Sequence, residues 1–218
     1  VIAGAMLSSA GFASATVYSQ CPGDLNGDGD NTDLGESTQV EQDFNNDGDF
    51  ADPGETFESK CMHLTGGDGY IKMADERPLY MFGFGDLTGT PDNQIMTKGI
   101  LAAEFPAPNI SLKQGERFYL TLSNVGMIMR PDLFDPHTVH FHGFPNASSV
   151  FDGLPDTAVS INMGASITYY YNVQEPGTYM YHCHVEATEH MQMGMLGNLY
   201  VHPAQNDTIP YEYPAGSG

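Results

Sequence analysis

The stretch richest in chemistry is YHCHVEATEHMQMGM, residues 181–195, with three His, one Cys, two Glu and three Met. A second stretch, DPHTVHFHGF, adds His137, His140 and His142, so six of the eight His in the chain lie in two short segments. Both segments read as strands, in which successive side chains alternate between faces. His140 and His142 therefore point together, and His137, three residues earlier, points the other way. By the same parity His182 and His184 share a face and Cys183 takes the opposite one. If the strands are neighbours, parity separates two sites set back to back.

The first site is His137, Cys183, His190 and Met195. Two imidazoles, a thiolate and a weak thioether are the donor set of a blue-copper electron-transfer centre, which holds copper in both oxidation states with little rearrangement. The second site is His140, His142, His182 and His184. It offers nitrogen only and suits copper or zinc. The remaining histidines, His63 and His202, read as structural. Asp132 and Asp135, just before His137, are candidates for proton delivery or for supporting a ligand. Met180, Met191 and Met193 read as adaptable packing, with soft copper handling the alternative.

A different chemistry precedes these segments. DLNGDGDNTDLGE, from Asp24, and DFNNDGDFADPGE, from Asp43, align without a gap as D-x-N-x-D-G-D-x-x-D-x-G-E. Alternating oxygen donors with a Gly at the sharp turn make the calcium-loop arrangement. The ligand candidates are Asp24, Asn26, Asp28, Asp30, Asp33 and Glu36 in one copy, and Asp43, Asn45, Asp47, Asp49, Asp52 and Glu55 in the other. The last acid stands one position later than in the standard helix-flanked loop, and no amphipathic helix flanks either copy. The repeats therefore read as compact structural calcium loops, against the alternative of a disordered acidic linker. Cys21 and Cys61 bracket both copies and form the natural disulfide, with two free thiols as the alternative.

The elements that must position these groups come from the chain as a whole. A formal charge of −21, from 28 acidic and 7 basic residues, argues against nucleic-acid and anionic-lipid partners and favours divalent cations or basic partners. Residues 1–20, VIAGAMLSSAGFASATVYSQ, are small and apolar and resemble the core and cleavage site of a secretory signal. The run is too short to span a bilayer comfortably, so no membrane span is expected and the protein is expected to be secreted, extracellular or periplasmic. If retained, the segment would be an apolar strand in need of a neighbouring subunit. From about Gly69 onward, short apolar runs broken by Gly, Pro and Asn read as an all-β antiparallel sandwich. The expected divisions are 1–20, an acidic double-loop segment at 21–62, the β domain at 69–205 and a tail at 206–218.

The segments H-x-x-H-x-H-G, G-T-x-x-Y-H-C-H and H-x-x-x-G-M, within Ile110 to Val201, resemble the copper motifs of multicopper oxidases in their terminal cupredoxin domain. The resemblance implies a cupredoxin-like Greek-key sandwich. It implies type 1 copper at His137, Cys183, His190 and Met195. It assigns His140, His142, His182 and His184 to the type 2/type 3 cluster where dioxygen is reduced, with electrons passing through Cys183 into its flanking His. Two departures stand out. Six residues separate Cys183 from His190, a longer spacer than the family's. The family's cluster draws on two cupredoxin domains, and this chain supplies one. A complete cluster therefore predicts a homo-oligomer or filament, or a partner subunit, and a two-fold interface would double the quartet. The other readings are a non-enzymatic type 1 electron carrier serving a redox partner protein, and a structural subunit of an extracellular assembly.

Overall fold

The computed structural model describes residues 17–47 and 49–207. In chain order these form β1 (Gln39–Glu41), β2 (Thr56–Lys72), β3 (Pro78–Asp86), α1 (Asp92–Lys98), β4 (Ala107–Lys113), β5 (Arg117–Gly126), β6 (His140–His142), β7 (Ser166–Asn172), β8 (Gly177–His182), α2 (Ala187–Met193) and β9 (Leu196–His202). One sheet runs β1–β2–β5–β7 with β3 also on β2, and the other runs β4–β9–β8–β6. Period-two patterning builds the core between them. Phe118, Leu120 and Leu122 of β5 are buried with Tyr169 and Tyr171 of β7, and Phe141 of β6 stacks on Tyr171 at 4.4 Å. Each such side chain taken out of water contributes about 1.5–3 kcal/mol.

The two-sheet sandwich is therefore present, but its sheets are mixed: β2 pairs with β5, and β4 with β9, in parallel. The expected boundaries at 62 and 69 both fall inside β2, a single strand of 17 residues. Met62 and Leu64 already belong to the common core. Alternation in β2 is masked because its outer face is also covered. There His63 bonds Ser19 Oγ at 3.2 Å and Ser123 Oγ at 2.8 Å, and Gln20 N donates to Thr168 Oγ1 at 3.2 Å. Val17, just before the residues that cover this face, is itself buried. The Cys21–Cys61 disulfide is formed and ties the acidic segment to β2. Among the described residues no helix is long and apolar enough to cross a membrane. The apolar run at 1–16, and residues 208–218 of the expected tail, lie outside the described residues.

Candidate metal centres

β6 and β8 are hydrogen-bonded neighbours, with His140 opposite His182, Phe141 opposite Tyr181 and His142 opposite Met180. This register turns Phe141 and Tyr181 into the core and the His on either side of them outward. The chain then leaves β8 at Cys183, whose N–H donates to Met195 O at 3.1 Å and so extends the β8–β9 ladder by one step. Between those two residues the long spacer folds as α2. Glu186 adopts a left-handed φ of 44° to turn the chain into it, and His190 on its inner side is fully buried.

His137, Cys183 and His190 meet there with their donor atoms within 4.8 Å of one another. Cys183 Sγ lies 3.2 Å from His190 Nδ1 and 3.9 Å from His137 Nδ1. Met195 is buried in the same hydrophobic core as Cys183, and its N–H donates to His190 O at 2.9 Å. Gly66 of β2 makes room for the site, because a Cβ there would stand 2.8 Å from His137 Cδ2. Burial pushes the His137 imidazole down to about 3, its repulsion by His190 adding to the effect, so the ring is neutral and ready to donate. Burial pushes the Cys183 thiol up to about 11. A thiolate there needs a positive charge beside it, and a bound metal ion supplies one. Two imidazoles and a sulfur in a fully buried pocket fit a thiophilic metal such as copper. On the far side of His190, Asp135 Oδ2 lies 3.6 Å from Nε2, and Glu186 completes an acidic rim. Asp132 instead pairs with Arg130 at 2.7 Å on the surface.

The other four His sit on the outer face of the same strand pair. Donor atoms of His140, His142 and His182 lie within 4.8 Å of one another. The His184 ring stands 5.1 Å from that of His140 and 5.6 Å from that of His182, outside this tighter group. His140 Nδ1 bonds the carbonyl of Asp152 at 2.5 Å, and His182 Nδ1 bonds the carbonyl of Cys183 at 2.9 Å. Carbonyls only accept, so these Nδ1 atoms carry the protons and both Nε2 atoms are left as acceptors. β6 is an edge strand, His142 is exposed, and the group faces outward.

Each acidic repeat closes on itself in the same way. Glu36 Oε1 accepts from Leu25 N at 2.9 Å, and Glu55 Oε1 accepts from Phe44 N at 3.0 Å. The amide of Asn26 bridges Asp28 and Asp33, as that of Asn45 bridges Asp47 and Asp52. Asp24 accepts from Gly27 N and Gly29 N, and Asp30 and Asp49 from Thr32 N and Ala51 N. Asp43 accepts from Asp47 N at 3.3 Å. His63 is the packed core histidine the sequence suggests, and His202 bonds Ser111 at the surface. Three contributors escape sequence reading. Thr138 Oγ1 accepts from His184 N at 3.0 Å, Phe82 packs edge-on against His190 at 5.8 Å, and Asp152 holds His140. A fourth, Glu186, was passed over although it lies inside the ligand-rich stretch.

A multicopper oxidase family model matches residues 87–206. Multicopper oxidase MCE of Talaromyces pinophilus is 29% identical over 125 residues, covering 56% of this chain and 19% of that protein. The iron transport multicopper oxidase FET3 of Kluyveromyces lactis is 34% identical over 116 residues, covering 50% of this chain and 16% of that protein. A blue copper oxidase from Nitrosomonas europaea superposes with a TM-score of 0.50 at 28% identity, covering 68% of this chain and 41% of that one. The matched region thus spans less than a fifth of the length of these curated relatives. The match to the family model nevertheless covers more than half of this chain, and its two His-rich segments lie inside it: the chain belongs to the multicopper oxidase family.

Proposed function

We propose that this chain is an exported copper oxidoreductase. His137, Cys183, His190 and Met195 bind type 1 copper, and His140, His142, His182 and His184 provide one half of an oxygen-reducing cluster completed by a second copy. One observation carries this reading: Cys183 contributes its sulfur to one site while its two neighbours, His182 and His184, face the other. Copper bound in this way supplies one-electron oxidation of a donor and, in a complete cluster, reduction of dioxygen to water. The chain's own residues hold the geometry. Burial keeps water from Cys183, Asp135 sits against the outer nitrogen of His190, and two main-chain carbonyls fix the tautomers of His140 and His182. Calcium in the two acidic loops would hold that segment rigid outside the cell, beside the disulfide.

Copper loading followed by metal analysis, optical and paramagnetic resonance spectra and oxygen uptake tests the proposal. An intense thiolate-to-copper absorption, about two or more copper ions per chain and uptake with a phenol or Fe(II) donor are expected. Full loading without uptake from any donor would sink the oxidase. The second reading, an electron carrier using only the first site, is favoured by the His quartet being only half of a cluster, with His142 exposed at its edge. It predicts about one copper per chain.

A further inference from the structure

No part of the His190 ring meets solvent. A reductant in solution cannot touch it, so an electron entering through this ring must pass through a neighbour. One neighbour is Asp135, a carboxylate that does not exchange single electrons with mild donors. Glu186 is a second carboxylate there, His137 and Cys183 belong to the same site, and the aromatic neighbour that leads outward is Phe82, at 5.8 Å. Phe82 stands edge-on to Tyr80 at 5.8 Å, and Tyr80 stands 5.6 Å from Tyr70, which is 48% exposed. The row follows from register: Tyr70 and Tyr80 are cross-strand partners of β2 and β3, and Tyr80 and Phe82 share a face two residues apart.

The middle phenol distinguishes this row from ordinary packing. Tyr80 Oη donates to Asp68 Oδ2 at 2.8 Å, and Asp68 is buried, also accepting from Ile128 N and Met129 N. The buried Tyr171 and Tyr181 donate to main-chain carbonyls, which cannot take a proton away. An oxidised phenol is a strong acid and needs a base at hydrogen-bond distance, and Asp68 is one. Burial and the Asp68 carboxylate push the Tyr80 phenol well above its ordinary value, so it rests protonated.

We propose that Tyr80, with Asp68 as its proton acceptor, is a redox relay that carries single electrons from a reductant at Tyr70 to the His190 site. Tyr80 gives one electron through Phe82 and the His190 ring to a one-electron metal oxidant held by His137, Cys183 and His190. Its phenolic proton crosses to Asp68, leaving a neutral tyrosyl radical hydrogen-bonded to a carboxylic acid. A one-electron reductant of the phenol or metal-ion class returns an electron at Tyr70, and the proton goes back from Asp68. One electron passes and no proton is lost. The delivery half of this relay rests on the metal reading of the first site.

Two arms separate the claims. In metal-free full-length protein, a photogenerated Ru(III) polypyridyl oxidant followed by freeze-quench paramagnetic resonance should give a persistent tyrosyl signal. Tyr80→Phe and Asp68→Asn should each shorten its lifetime about tenfold. Undiminished persistence in both overturns the relay, and if Asp68→Asn fails to fold, Tyr80→Phe decides alone. In copper-loaded, oxygen-free protein, hydroquinone should bleach the thiolate-to-copper absorption about tenfold more slowly in Tyr80→Phe and Tyr70→Phe, with the starting absorption unchanged. Equal bleaching rates with that absorption intact overturn the relay. A wild type that takes up copper without the absorption sinks the metal reading and the delivery half with it, and the metal-free arm then decides Tyr80.

Discussion

Two single positions show how closely the surroundings constrain the first site. At Gly66 a methyl group would press into the His137 ring, and that ring cannot retreat because the His137 main chain is bonded to Ile161 in both directions, at 3.0 and 2.9 Å. Gly66→Ala should therefore destabilise the fold by about 1–3 kcal/mol through overpacking. In copper-loaded protein it should also shift the thiolate-to-copper absorption. Denaturant titration and an optical spectrum check both, and an unchanged spectrum with wild-type stability would refute the tight fit. His63 acts through charge instead. Burial pushes its imidazole down to about 4, against an ordinary 6.5, although Asp92 and Asp86 pull the other way. Between those two pH values the unfolded chain takes up a proton that the folded one refuses. The stability His63 contributes is thus complete above about pH 6.5 and lost as pH falls toward 4, a loss of about 3 kcal/mol. His63→Gln should flatten that part of the stability profile measured by urea titration at stepped pH.

At the scale of elements, the disulfide is the clearest lever. It closes a loop across a sequence separation of 40, and removing it in a Cys21→Ala, Cys61→Ala double variant should cost about 4 kcal/mol of unfolding free energy. A shift below about 1 kcal/mol would mean that the acidic segment is held by its other contacts. Those contacts include Arg117, whose guanidinium lies over Phe57 at 3.6 Å and Phe44 at 5.2 Å and donates to Gly54 O at 2.6 Å. The pairing of Cys21 with Cys61 was legible because the two bracket the acidic segment, while the third cysteine, Cys183, stands alone between two His. The split of the His-rich segments into two faces was legible because strand parity is a rule of backbone geometry. β2 was not legible as core, since a strand covered on both faces carries no clean alternation and this one has Gly66, Gly67 and Gly69 within it. Nor was α2, because a single helical turn or two has too few residues to show a period. Phe82 was invisible for a third reason: its partner His190 lies far away in sequence, and only the fold brings them together, while Asp152 reaches His140 through the loop between β6 and β7.

For the whole molecule, the open question is what faces the His quartet. β6 is the last strand of its sheet, and His140, His142 and His182 gather outward there, mostly buried, exposed and buried in turn. Apart from the Asp152 carboxylate, 3.7 Å from His140 Nδ1, and one hydrogen bond of 3.3 Å between His142 and His182, three imidazoles so close gain little from one another unless an ion joins them. A metal ion needing more donors than one copy offers would draw in a second copy, and a two-fold axis through the group presents the same four residues from each side. Association would then be metal-linked: each bound ion stabilises the pair and not the monomer, so the dimer gains by mass action as copper rises. Sedimentation or light scattering should show the copper-free chain shifting toward an even-numbered oligomer on copper addition. His142→Ala, which removes an exposed side chain and no core packing, should abolish that shift while leaving the thiolate-to-copper absorption of the first site in place. An oligomer that forms equally without copper, or that survives His142→Ala, would move the interface elsewhere on the molecule and leave the quartet to another partner.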